Sequence, residues 1–147
     1  MILVPMRRLK KVLISDLDGF VWNDGDEPIT IEEVRGYKGR SEPRPFGGTD
    51  FFAIKPRKRD FHLRRVVYFY RNPNEIRGIK LGDHDWHDRY RYYSFPGVTI
   101  EDGYHRMLAA LSLGLEEVSV DYVGVRTDNL NYLKGIRRKI PTKEMCF

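Results

Sequence analysis

Cysteine is all but missing from this chain. Its one thiol, Cys146, has no partner within the sequence, so no internal disulfide can form and a reducing, intracellular setting is expected. No apolar run approaches the roughly 20 residues of a membrane span, so no membrane partner is expected. The apolar start, MILVPM, meets Arg7 too early for a signal peptide, and a cytoplasmic location follows as the expectation. Internal repeats and low-complexity segments are absent as well, which excludes solenoids and disordered tails. What is present is ordinary for a globular protein: 41% hydrophobic and 32% charged residues. A length of 147 residues suits one domain with one core, and a single domain over 1–147 is expected, its oligomeric state left open.

The net charge of +5 is unevenly placed. Residues 1–71 carry 15 Lys and Arg against 10 Asp and Glu, whereas residues 72–147 carry 11 of each. The densest cluster runs from Lys55 to Arg65, and Arg89–Tyr93 (RYRYY) interleaves arginine with aromatic rings. Patches of this kind favour phosphate-rich partners, so nucleic-acid binding through Lys55–Arg65 and Arg89–Tyr93 is one expectation. A solvated basic loop is the other.

Hydrophobic patterning gives a coarse element map. KVLIS (11–15) and RVVYFY (65–70) read as strands, and so do a short Asp50–Ile54 segment, GIKLG and PGVTIED, the last with Val98 and Ile100 on one face. Thr30 with Glu33 three residues on is a helix-starting box for TIEEVRGY. Gly103–Leu113 reads as an amphipathic helix with Met107, Ala110, Leu111 and Leu113 inward and Gly114 as its left-handed cap. Glu117–Val125 alternates as a strand. A last helix is expected from Asn129 up to Ile140, ahead of Pro141.

The strand, helix and strand from Val98 to Val125 form a unit that usually joins parallel strands by a crossover. Its turn, Asp102-Gly103-Tyr104-His105-Arg106, carries chemistry. A helix start offers free N–H groups and the positive end of its dipole, glycine lets the backbone approach a ligand, and Arg106 matches phosphate oxygens. His105 exchanges protons near neutral pH. The same residues also read as a helix cap, a turn glycine and a surface ion pair.

IEDGYHRMLAALSLGLEEVSVDYVGV resembles the core of the ParB/sulfiredoxin superfamily. Gly103, Arg106 and Ala109 fill G-x-x-R-x-x-A, Leu113-Gly114 fills the helix end, and Val118-Ser119-Val120 fills the following strand. The resemblance implies an α/β domain with a mixed sheet and a nucleotide such as ATP, ADP or CTP held at Gly103, Tyr104, His105 and Arg106. It implies Asp102 and His105 as catalytic residues and Mg²⁺ beside them. Departures narrow the reading. Tyr104 stands where sulfiredoxins place their catalytic cysteine, and about 20 residues follow the last strand here, where chromosome-partitioning members carry a helix-turn-helix domain. The D-G-x-H-R form is closest to stand-alone members, some of them nucleotide-dependent kinases of small molecules and some described as nucleases. Phosphoryl transfer or nucleotide hydrolysis is therefore the leading expectation, with Tyr104 or Trp86 available to stack on a base. A nucleic-acid-binding or nuclease role is the first alternative.

A second motif competes. KVLISDLDGFVW resembles the opening of haloacid dehalogenase-like phosphatases, with Asp16 as nucleophile, Asp18 as acid/base and both beside Mg²⁺; Asp83 and Asp88 would supply the late acidic motif. Asp16 and Asp18 can equally carry Mg²⁺ beside a phosphate held by Arg106. HDWH (84–87) reads as a polar loop or a weak divalent-metal site.

Overall fold

The computed structural model describes residues 1–15, 17–44, 57–87 and 92–141, with the side chains of 85–87 and 92–96 set aside. The chain is a mixed α+β protein whose main sheet is also mixed. It forms two compact units. The first comprises residues 1–15, 77–103 and 115–147; the second comprises 16–76 and 104–114.

The first unit is built on four strands in the order β1-β6-β4-β5, namely Ile2–Pro5, Glu117–Tyr122, Ile79–His87 and Tyr92–Asp102. β1 runs antiparallel to β6, β6 parallel to β4, and β4 antiparallel to β5. Val4, Ile79, Leu81, Val98 and Val120 are fully buried, as alternation along each strand requires. Val98 and Ile100 share the buried face, as expected from sequence. The β4–β5 register slips between Asp83 and His84, whose partners are Val98 and Phe95. Pro96 and Gly97 form the bulge; Gly97 takes φ +114°, and a side chain there would press on Ile14 and the Val12 carbonyl, so both the backbone and the close approach call for glycine.

Two helices belong to this unit. α1 (Met6–Val12) replaces the strand expected over KVLIS. Met6, Leu9 and Val12 recur at helical spacing and are buried, while Arg7, Lys10 and Lys11 are exposed. The apolar run 12–14 is thus a helix end followed by one parallel bridge from Leu13 to Val98. α5 (Thr127–Leu133) stops well short of Ile140. Gly135 turns left-handed at φ +81°, and Arg8 donates to the Tyr132 carbonyl at 2.9 Å, ending the helix before the proline can.

The topology corrects one expectation about the 98–125 segment. β5 and β6 both flank β4 and run opposite to each other, so they are not the parallel pair of a crossover. β5 ends and β6 begins at the same end of the sheet. Gly103 therefore lies at the starting ends of β4 and β6, not at the carboxyl ends where crossover folds bind ligands.

The second unit holds a two-stranded β2–β3 hairpin (Gly19–Phe20 and Ile29–Thr30) and helices α2 (Ile31–Gly36), α3 (Arg59–Arg71) and α4 (Tyr104–Leu113). α2 begins as its box predicts: the Thr30 hydroxyl accepts from the Glu33 N–H at 3.1 Å. α3 corrects the strand expected over RVVYFY. Val66 and Val67 are consecutive and both buried, where a strand with one wet face would expose one of them. Packing between α3 and α4 overrides the β-branched and aromatic bias. In α4 the six residues 107–112 are all buried, Leu113 only half, and Gly114 caps the end at φ +68°. Arg35 donates from Nε to the Ser112 carbonyl at 2.7 Å, satisfying one of the last orphan acceptors. Among the described residues no helix is long and apolar enough to cross a membrane.

Candidate functional site

Two side chains of the first turn of α4 pack against rings from neighbouring elements. Tyr104, partly exposed, sets its ring edge-on to Phe20 with centroids 5.6 Å apart. His105 turns under Trp22, the two rings 4.8 Å apart and within 8° of parallel. His62 from α3 lies under the same indole at 5.2 Å and 9°. The two imidazoles meet each other, His62 Nδ1 to His105 Nε2 at 2.9 Å. The result is a hydrogen-bonded histidine pair roofed by one tryptophan, with Phe20 edge-on to the roof at 6.0 Å.

The hydrogen bonds assign the protons. The His62 ring donates to the Arg57 carbonyl, and a carbonyl only accepts. In the tautomer where His62 donates to the Arg57 carbonyl through Nε2, the proton between the rings sits on His105 Nε2, and Nδ1 of His105 is that ring's acceptor. A base oriented by a second ring, itself oriented by a backbone carbonyl, has the logic of a catalytic triad.

Charge around the pair is positive. Arg65 and Arg106 both bear on His105, and Arg106 also bears on Arg65. Burial, then the His62 ring and the two guanidiniums, push His105 down to about 3. Burial pushes His62 down to about 4, opposed by its bond to Arg57 and by Asp26. Both rings are neutral at pH 7. Arg65 is itself buried, donates to the Glu42 and Pro43 carbonyls at 3.2 and 2.9 Å, and stacks 4.4 Å from the Phe69 centroid.

The other expected site residues fall in different places. Asp102 is the exposed last residue of β5, opposite Lys80, and Gly103 follows it at φ +107°. Both belong to the first unit, whereas Tyr104, His105 and Arg106 belong to the second. Asp18 is exposed just before β2, and Asp16 lies outside the described residues. Among the described residues no three His, Cys, Asp or Glu side chains gather as metal ligands. Residues 84–87 are not a loop: they form the end of β4. Lys55, Asp88, Arg89–Arg91 and Cys146 lie outside the described residues, as does the expected Asp50–Ile54 strand, and nothing is assigned to the Trp86, Tyr92 or Tyr93 side chains. The basic cluster is less naked than its sequence: Arg59 pairs with Glu33, Arg64 with Asp60, and Arg65 is buried.

Asp83 is an internal anchor of the first unit. Its buried carboxylate accepts from the Tyr122 hydroxyl, from the Val125 N–H at 2.6 Å and from the Arg126 N–H at 3.2 Å. Burial and that carboxylate push the Tyr122 hydroxyl pKa well up, so it stays a donor. Asn129 extends the knot to the Gly97 carbonyl at 3.0 Å. Such a saturated carboxylate fixes the chain entering α5. The strand expected ahead of Asp16 is instead the end of α1 and a single bridge at Leu13.

Sequence reasoning found His105 and Arg106 but missed Trp22 and His62. Only the helical reading of 59–71, with His62 on its buried side, would have exposed them. Comparison with known proteins returns nothing: no family model, no curated protein and no solved structure matches the chain.

Proposed function

We propose that the second unit binds a phosphorylated small molecule, a nucleotide in the reading carried by D-G-Y-H-R, and that His105 is the general base for its phosphoryl transfer or hydrolysis. The observation that carries this is the 2.9 Å contact between His62 and His105 beneath Trp22. An imidazole held so firmly is positioned for one acceptor hydroxyl or water. Arg106 and Arg65 supply the field that favours a phosphate. Burial, with the His62 ring and that field adding to it, holds His105 unprotonated. A bound phosphate reverses the local sign and raises the basicity of His105 toward its task.

In the step itself, the acceptor O–H gives its proton to His105 Nδ1 as its oxygen bonds to phosphorus. The bond from phosphorus to the leaving oxygen breaks, and its electron pair departs with that oxygen. The Nε2–H bond to His62 strengthens as His105 becomes cationic. Mg²⁺, where bound, would supply charge neutralisation on the phosphates.

The test is thermal stabilisation by phosphate, ATP, ADP and CTP, each with and without Mg²⁺. Wild type, Arg106→Ala and His105→Gln are compared. A ligand at 100 times its Kd stabilises by about 2.7 kcal/mol. The shift should vanish in Arg106→Ala, whereas His105→Gln should keep the shift and lose turnover. No shift with any of the four ligands would end the reading.

A further inference from the structure

A cleft of about 540 Å³ lies in the second unit, lined by Asn23, Asp26, Arg57, Lys58, Arg59 and Asp60. It is open to solvent, and five of its six lining residues are charged. Arg59 and Asp60 hold ion-pair partners of their own. Arg59 forks onto Glu33 at 2.5 and 2.8 Å and donates to the Glu27 and Pro28 carbonyls. Asp60 holds Arg64 at 2.8 Å. Arg57 and Lys58 are exposed at the cleft, and the Arg57 guanidinium rests 5.1 Å from the Phe61 ring centroid, which limits its freedom before any ligand arrives. Asp26 also lines the cleft, and its carboxylate accepts from the Asn23 amide at 3.2 Å.

Adjacent guanidinium and ammonium groups suit a phosphate, and a carboxylate nearby accepts hydroxyls while repelling additional negative charge. We propose that this cleft is a second anion site, taking a phosphomonoester that carries hydroxyl groups: phosphate on Arg57 and Lys58, hydroxyl on Asp26. Occupancy reaches the histidine pair through one group. The Arg57 carbonyl accepts both from Asn23, at 2.7 Å, and from the His62 ring. The proposal does not depend on chemistry at His105.

The experiment is titration of the full chain with ribose 5-phosphate, inorganic phosphate, ribose and a series of oligonucleotides, followed by calorimetry and by amide shifts. Wild type, Arg57→Ala/Lys58→Ala and Arg106→Ala are compared, with melting curves to confirm that each folds. Ribose 5-phosphate should bind more tightly than phosphate, and ribose should not bind measurably. The double variant should weaken ribose 5-phosphate at least tenfold, with shifts centred on 23–26 and 57–60, while Arg106→Ala binds as wild type. Unchanged affinity in the double variant overturns the proposal. Loss only in Arg106→Ala also overturns it, and leaves a single anion site at α4. Affinity that climbs with oligonucleotide length and falls steeply with salt overturns it in favour of a nucleic-acid surface. Nucleotide binding that is indifferent to Arg106→Ala instead counts against the reading of α4, not against the cleft.

Discussion

Acid should unfold this protein from an unusually high pH, because two of its four histidines are held neutral. An unfolded histidine titrates near 6.5, whereas folded His62 titrates near 4 and folded His105 near 3. Between those values the unfolded chain binds more protons than the folded one. Stability is therefore complete above about pH 7 and drains away as pH falls through 6.5 toward 4. At pH 5 the linkage relation gives a loss of about 2 kcal/mol for each ring, or about 4 kcal/mol for the pair. That is a large part of a typical stability of roughly 5–15 kcal/mol. The carboxylates held low by arginines (Glu33, Glu42, Asp60 and Asp128) lose their contribution only below about pH 4.5, so the histidine window stands apart. Urea unfolding followed by circular dichroism at pH 7.5 and 5.0 reads the effect directly. With a slope of about 2 kcal/mol per molar, the midpoint should fall by about 2 M. His62→Gln/His105→Gln should be less stable at pH 7.5 but should lose most of that pH dependence. Equal midpoints at the two pH values in wild type, or His62 and His105 imidazole resonances titrating near 6.5, would refute the reasoning.

Three further outcomes test the packing. Gly124→Ala places a methyl about where Asp83 Oδ1 lies, 2.4 Å from the new carbon, and Asp83→Asn turns an amide toward backbone donors; each should cost about 2–4 kcal/mol in denaturant unfolding. Met107→Ala empties a fully buried position in α4 and should cost about 2–5 kcal/mol by the same measurement. Thr30→Ala removes the α2 cap and should cost about 1 kcal/mol, whereas Thr30→Ser should cost little; equal losses would mean that the methyl, not the hydroxyl, matters there.

Elements with a chemical marker at their ends were legible in the sequence. The Thr30 box, Gly114 as a left-handed cap and the Val98/Ile100 alternation all appear in the structure where they were read. Elements judged from a short apolar run were not. KVLIS and RVVYFY are rich in β-branched or aromatic residues over five or six positions, and the helical period shows only when the window extends back to Met6 and Arg59. The sheet order escaped because pairing of β4 with both β5 and β6 is a long-range choice that no local pattern records. The candidate site was half visible for the same reason. His105 and Arg106 sit in a recognisable turn, while Trp22 and His62 join them only after a hairpin and a helix have folded against α4.

The pairing of β1 with β6 has a consequence on the ribosome. Ile2 must wait for Val120, a partner over a hundred positions later. At roughly 5–20 residues per second, the opening strand spends about 6–24 s without the neighbour that closes its sheet. During that interval Ile2 and Val4, and Leu3, which stays exposed even afterwards, form an apolar strand edge open to any passing chain. Bringing distant segments together also lowers the rate of closure after release. The molecule's greatest exposure to misassembly thus falls in its own synthesis, and slowing translation before residue 120 should raise its dependence on holdase chaperones.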